Sequence, residues 1–387
     1  MTVAHPIARA WLSTGGTGAR NYDEFADDAE ITAIIAANPS SALAVEMPHR
    51  APDSVGRTFA ESLPDAVRRL ADAKAAGRYA PHDGIAALYR ITGGGRTAYG
   101  LWCMVDTDQI STSADEPGIV IRNEDVFPEK VRERVALAEA TGHLLSPVLL
   151  LQTGRDEELH RALKAAVDAA GAPVTRDVDA AGRTHEIWPV TDPDLLALAG
   201  GGELVVADGN HRSLAAQTAG LPRFLAVVTT SASVAIEPYN RLVSEVPADL
   251  GLDLTPLEGT PTAPSQGGVV HLYSTAGAWA VRLPRDPSGS VVDNLDHALV
   301  ERYLFERALG LDPGDKRITY VGGDYPASWL CGEVDAGRAD LAVLIAPVTV
   351  ADFVAVNLAR QKMPRKSTWF TPKARAGLVV ADLAAEG

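Results

Sequence analysis

Three short segments gather residue types that can handle phosphate and protons. The first, residues 203–220, reads ELVVADGNHRSLAAQTAG. An apolar strand runs into Asp208-Gly209-Asn210, and a helix opens at about His211. Gly209 allows a backbone conformation, or a close approach, that a side chain would hinder. The unpaired N–H groups and partial positive charge of a helix's first turn suit a phosphate. His211, Arg212 and Ser213 add donors at that end, and Asp208 can hold Mg²⁺ or orient a hydroxyl. The same residues also fit a capped helix start followed by a solvated arginine. The second segment, GIVIRNEDVFPEKVRERV, spans residues 118–135. Its strand ends in Arg122, Asn123, Glu124 and Asp125, and Pro128 marks the start of a helix. Glu124 can act as general base toward a substrate hydroxyl, or it can simply complement the helix dipole with Asp125. The third, MPRKSTWFTPK, sets Arg365, Lys366 and Lys373 beside the hydroxyls of Ser367 and Thr368 and the rings of Trp369 and Phe370. Such a cluster can bind a carboxylate or phosphate. It also fits a solvated terminal strand with one packed aromatic.

Other chemistries find less support. Gly15, Gly16 and Gly18 lie in STGGTGAR, but no Lys-Ser/Thr follows at P-loop spacing. No GxSxG occurs, so a hydrolase elbow is not indicated. The nine histidines show no HExxH, and Cys103 and Cys331 are far apart, which argues against a zinc site. His143, His160, His185 and His297 read as packing or surface residues.

The elements that must position these residues alternate between strand and helix along the chain, which predicts an α/β architecture. Helices are expected at Asp28–Ala37, Val55–Ala76, Phe127–Thr141, Glu157–Ala170, His211–Ala219, Asp296–Leu309, Tyr325–Ala336 and Val350–Gln361. Strands IAALYRI and TAYGLWCMV flank Gly93, Gly94 and Gly95 as a hairpin. A second hairpin is expected around Ala181 and Gly182. Polar residues 106–118, with Pro117, read as a boundary loop, and residues 248–268 read as a linker or decoration. The expected organisation is an N-terminal α/β section at 1–110, a core at 111–235 and a C-terminal α/β section at 236–387. The 387 residues suffice for two or three domains, with 46% hydrophobic and 22% charged residues. With 35 basic and 50 acidic residues, the net charge of −15 opposes nucleic-acid binding by phosphate neutralisation. No apolar run is long enough to span a membrane, no secretory signal is evident, and the two cysteines suit a reducing compartment. A cytoplasmic location is therefore expected.

The order GIVIRNED, SPVLLL, VVADGNHRSLAAQ and MPRKSTWFTPK resembles a family of unknown function, domain-of-unknown-function family 1015, which includes archaeal ADP-dependent free serine kinases. Tyr239-Asn240-Arg241, expected to end a strand, and Tyr22-Asp23 near the N-terminus add to the resemblance. It covers nearly the whole chain. It implies a ParB/sulfiredoxin-like catalytic core, with 111–235 as the nucleotide-binding section. It also implies ATP or ADP and Mg²⁺ as cofactors. Carried over, Asp208, Gly209, Asn210, His211, Arg212 and Ser213 fall in the phosphate loop. Glu124 falls at the base position. Arg365, Lys366, Ser367, Thr368 and Trp369 fall in the segment closing over a hydroxy amino acid. Two positions depart from the family pattern. Asn210 replaces the first of two consecutive histidines, and Asn123-Glu124 replaces His-Glu. The expected activity is phosphorylation of free L-serine or a similar hydroxy amino acid. The alternative is a ParB-like nucleotide-binding regulator with little turnover. A sulfiredoxin-like reductase would need a cysteine in the loop, and none is there.

Overall fold

The computed structural model describes residues 2–25, 27–111, 118–122, 124–247, 249–312 and 314–386. Asn123 and Pro117 lie outside the described residues. The protein is α/β, and its chain divides into two compact units: residues 1–234 with 372–387, and residues 235–371. Segments 1–110 and 111–234 therefore share one unit, and 236–387 is divided between both.

After a two-residue strand at Ala4–His5, the first unit continues with strand β1 (Ile7–Ser13), which sequence patterning did not single out. Helix α1 (Asp28–Ala37) begins where Asp27 accepts from the amide of Ala29. Helix α2 spans Phe59–Ala75, starting later than the expected Val55. Its start is set by a capping box: Thr58 Oγ1 accepts from the Glu61 amide, and Glu61 accepts in return from the Thr58 amide. Strands β2 (Tyr79–Gly93) and β3 (Arg96–Asp106) form the expected glycine hairpin, with Gly93 opposite Arg96. Then come β4 (Val120–Ile121) and α3 (Pro128–Thr141), which has Pro at its first turn and Gly142 closing it in the left-handed region. Strand β5 (Val148–Gln152) and helix α4 (Asp156–Ala169) follow. A hairpin of β6 (Thr175–Val178) and β7 (Thr184–Val190) leads to α5 (Pro193–Ala199). Strand β8 (Leu204–Asp208), helix α6 (Asn210–Thr218) and strand β9 (Arg223–Thr229) complete this stretch.

The central path of the large sheet runs β4-β8-β5-β9-β3-β2-β1 among the described residues. Strands β4 and β8 are parallel, as are β5 and β9, while β8 and β5 are antiparallel. Leu150, Leu204, Val206 and Val228 are essentially inaccessible to solvent in its middle. Leu159, Leu163 and Val167 of α4, at helical spacing, pack into the same core. Truncating one such leucine to alanine costs about 2–5 kcal/mol. This buried sheet fixes where β4 and β8 end as neighbouring strands.

The second unit holds β10 (Asn240–Val243), β11 (Val269–Ser274) and β12 (Gly277–Arg282). Tyr239-Asn240-Arg241 thus opens a strand rather than ending one. Asn240 starts the pairing with Val321, so the segment after Arg241 still has ladder partners to fill. The expected helix Asp296–Leu309 is an α-turn at Asp296–Leu299 that widens into a π-helix at Val300–Leu309. Strand β13 (Ile318–Val321) precedes α7 (Ala327–Asp335), whose start is displaced from Tyr325 by Pro326 at its N-cap. Strand β14 (Leu341–Ile345), helix α8 (Val350–Leu358) and strand β15 (Trp369–Thr371) follow. The chain then re-enters the first unit at Pro372 and ends in β16 (Val379–Asp382), paired with β1.

Candidate functional site

Strand β8 delivers Asp208 to a tight junction with α6. Between Val206 and Asp208 its register with β5 shifts, which takes Asp208 out of the regular ladder. Gly209 has φ +100°. A Cβ there would lie 3.2 Å from Cζ and Nε of Arg212 and from the Val148 backbone. Only glycine makes that turn without strain. Asn210, His211, Arg212 and Ser213 follow as a buried first turn. Gly209, having no side chain, caps α6 with its backbone alone. The Ser213 hydroxyl donates to the Asn210 carbonyl at 3.0 Å, so it serves its own helix.

Charges from three distant parts of the sequence converge on Asp208. Lys373 Nζ donates to its Oδ1 at 2.8 Å, and Arg212 donates to its Oδ2 at 2.6 Å. Arg212 also donates to the Pro147 carbonyl and to Asn21 Oδ1, and lies 3.9 Å from Asp23. Burial alone would raise the Asp208 pKa, but Lys373 and Arg212 overcome it and hold the carboxyl below its usual value. Burial disfavours both cations as well, and Asp208 first among the neighbours raises each of them.

Glu24 belongs to the same cluster. Asn21 donates to its Oε1 from Nδ2 at 2.5 Å, and from its backbone amide at 3.3 Å. Arg20 lies 3.8 Å from its other oxygen. Burial, with Asp208 and Asp23 nearby, pushes Glu24 up to about 7 against the pull of Lys373. A carboxyl poised there can give or take a proton near neutrality. The N-terminal and C-terminal segments that carry Glu24 and Lys373 are stitched together. Ala19 and Ala376 exchange backbone hydrogen bonds at 3.0 Å, Arg375 donates to the Gly18 carbonyl at 2.7 Å, and Asn21 donates to the Ala374 carbonyl at 3.2 Å. Sequence reasoning grouped Lys373 with a basic cluster and gave no part to Glu24. The signal available for Glu24 was its position directly after Tyr22-Asp23.

Glu124 leaves a neighbouring strand end. In the parallel pair Ile121 faces Val205, so Glu124 and Asp208 each lie three residues beyond paired positions. Glu124 is partly buried. His211 ties the following helix to α6. Its Nε2 accepts from the Phe127 amide at 3.0 Å, and the two rings stack with centroids 6.0 Å apart. With Nε2 engaged as acceptor, the neutral ring carries its proton on Nδ1. Phe127 is the N-cap residue of α3, so His211 satisfies one of the orphan amides at that helix end.

The expected substrate segment Arg365–Trp369 lies in the second unit. The buried Arg241 donates to the carbonyls of Tyr239, Asn240 and Arg365 at 3.0, 3.2 and 3.2 Å. Lys366 adopts φ +51° with its ammonium 5.9 Å from the Tyr239 ring. Ser367 is buried, and Trp369 packs edge-on against Tyr239 at 5.5 Å while donating to Asp324 at 3.3 Å. Gly322 makes room for that indole: a Cβ there would fall 2.2 Å from the ring. Thr368 lies within the same loop, before β15. The structure therefore gathers Asp208 through Ser213 with Lys373, Glu24 and the β4 terminus in one unit, and Arg365 through Trp369 in the other.

Asp208 was expected to hold Mg²⁺. Its two oxygens accept from two cations, and among the described residues no three His, Cys, Asp or Glu side chains gather as a metal cage. That donor set does not fit a resident ion. No helix of the described residues is long and apolar enough to cross a membrane.

A family model described as "Protein of unknown function (DUF1015)" matches residues 17–298. No curated protein matches the chain. Among solved structures, the chain is similar to a free serine kinase in complex with AMP, at 12% identity and TM-score 0.41, covering 70% of this chain and 87% of that one. It is also similar to SbnI with a C-terminal truncation from Staphylococcus aureus, at 13% identity and TM-score 0.42, covering 73% and 88%. A conserved hypothetical protein from Pyrococcus furiosus gives 12% identity and TM-score 0.39, covering 72% and 95%.

Proposed function

Because the chain belongs to the family of unknown function DUF1015, and two largely shielded cations converge on Asp208 beside a strand–glycine–helix junction, we propose that it is a small-molecule kinase. It transfers a phosphoryl group from ATP or ADP to the hydroxyl of free L-serine or a similar hydroxy amino acid. The motifs that resemble those of free serine kinases support this reading, as does the architecture around Asp208. In the reaction the substrate oxygen forms a bond to the terminal phosphorus, and the bond to the nucleotide leaving oxygen breaks. The hydroxyl proton passes to Glu124.

Phosphoryl transfer asks mainly for positioning and charge neutralisation. The amides of the α6 first turn, from Gly209 to Arg212, receive the nucleotide phosphates. Lys373 and Arg212 neutralise charge as it develops, with Asp208 holding both in place. His211 fixes α3 against α6, and with it the approach of Glu124. The resemblance assigns Arg365, Lys366, Ser367, Thr368 and Trp369 to the carboxylate and body of the amino acid. Mg²⁺ enters, where used, on the nucleotide, and no step is assigned to a resident ion.

The convergence of Lys373 and Arg212 on Asp208 carries this reading. The test is incubation of the full chain with ATP or ADP and a panel of hydroxy amino acids, with mass spectrometry of the products. A phosphorylated amino acid, lost in Lys373→Met, is the expected result. A second reading, a ParB-like nucleotide-binding regulator, draws on the saturation of Asp208 by cations and on Asn210. Tight nucleotide binding with no phosphorylated product would select it.

A further inference from the structure

The second unit contains a cavity of about 760 Å³ that the proposed kinase chemistry does not use. That volume falls in the range of small-molecule sites. Its floor is apolar: Val270, Leu272 and Leu304 are buried there, from β11 and from the helix opposite. That helix is the π-helix Val300–Leu309, ten residues long, closed by Gly310 at φ +63°. Helices of this kind are rare, usually a single turn, and concentrate at functional sites because a tighter α-turn is otherwise preferred.

The rim carries both signs of charge. Arg282 of β12 and Arg307 of the π-helix line it, as do Asp249 and Asp253 of the segment between β10 and β11. Among the described residues, no ion pair joins either arginine to a carboxylate. The Arg307 guanidinium lies 4.5 Å from the Tyr303 ring centroid, a stacking that fixes its plane and leaves its edge donors for a ligand. Asp249 accepts one amide hydrogen bond, from Gly251 at 2.9 Å, which uses a single lone pair of its carboxylate.

We propose that this cavity binds an apolar α-amino acid, with its side chain on the Val270, Leu272 and Leu304 floor, its carboxylate at Arg282 and Arg307, and its ammonium at Asp249 and Asp253. A fatty acid would leave the two aspartates facing its own negative head. An apolar amine would leave the two arginines uncompensated. A zwitterion satisfies both pairs, and the apolar floor selects against small polar amino acids.

Isothermal titration calorimetry on the full chain tests this, with L-leucine and L-phenylalanine as probes and decanoate, phenethylamine and glycine as controls. The expected result is saturable binding of the two apolar amino acids, with little for the controls. Arg307→Ala and Asp253→Ala, both at exposed positions, each weaken it by about tenfold or more, the loss expected for one charge-assisted contact. Ala308→Trp fills the cavity and abolishes binding. Should that variant fail to fold, the two charge variants still decide. Absence of saturable binding by either amino acid, equal binding of decanoate, or affinity unchanged in both charge variants overturns the proposal.

Discussion

Asp208 and Lys373 are separated by 165 residues of sequence, yet Oδ1 of one lies 2.8 Å from Nζ of the other. Both are largely shielded, with side chains 15% and 13% exposed, and Arg212 holds the second oxygen of the same carboxylate. Breaking such a pair from one side strands the other charge in a poorly solvated place. Removing one partner of a buried ion pair costs about 3–5 kcal/mol. Lys373→Met is therefore expected to lower the thermal midpoint clearly, and to abolish phosphoryl transfer. Pairing it with Asp208→Asn in a double-mutant cycle should give a combined loss well below the sum of the two. Additive losses would mean that the contact contributes nothing.

Glu24 gives the site a pH signature. Its pKa of about 7 in the folded protein exceeds its usual 4.5, so the folded state holds the proton more tightly than the unfolded chain. Between these values the unfolded chain binds fewer protons, and stability falls as pH rises through that window. Glu24→Gln keeps an acceptor for Asn21 and removes the ionisation. Denaturant unfolding from pH 5 to pH 8 should show a downward slope in the wild type that is flatter in Glu24→Gln. Identical slopes would remove Glu24 as its source.

The turn at Gly209 is the third target. Gly209→Ala puts a Cβ at φ +100°, 3.2 Å from the Arg212 guanidinium. Backbone strain of this kind costs about 1–3 kcal/mol, and Arg212 must shift away from Asp208. The expected outcome is a moderate loss of stability with a larger loss of nucleotide affinity, measured by calorimetry. Unaltered nucleotide affinity would detach the loop from phosphate binding.

Much of this fold is readable from local patterns. Pro128 and Gly142 bracket α3, and Gly93 through Gly95 mark the hairpin, because their backbone limits act at their own positions. Thr58 and Glu61 spell the start of α2 just as locally, but Val55, at helical spacing from Phe59, extended the expected helix back to itself. The site was half legible. The β8–α6 loop carries its chemistry in six consecutive residues. Lys373 and Glu24 join it only through the order of strands in the sheet and the pairing of Ala19 with Ala376, which no spacing reveals. The widening of Asp296–Leu309 into a π-helix was equally hidden, since its apolar spacing also fits an α-helix.

Glu124 supplies the catalytic prediction. Glu124→Gln is expected to reduce kcat by about 100- to 10,000-fold, the span usual for a general base. Nucleotide affinity should hold, because the carboxyl is assigned to the acceptor and not to the phosphates. Stopped single-turnover assays with bound nucleotide separate the two. Full turnover in the variant would leave Glu24 as the carboxyl to test next.

The pairing of β16 with β1, and of Ala376 with Ala19, makes the segment that carries Glu24 wait for residues synthesised after Thr371. A nascent chain halted at Thr371 carries Asp208 through Ser213 but lacks the ammonium that neutralises Asp208. The proposed site therefore needs synthesis to pass Lys373, and products terminated before it are expected to be inert.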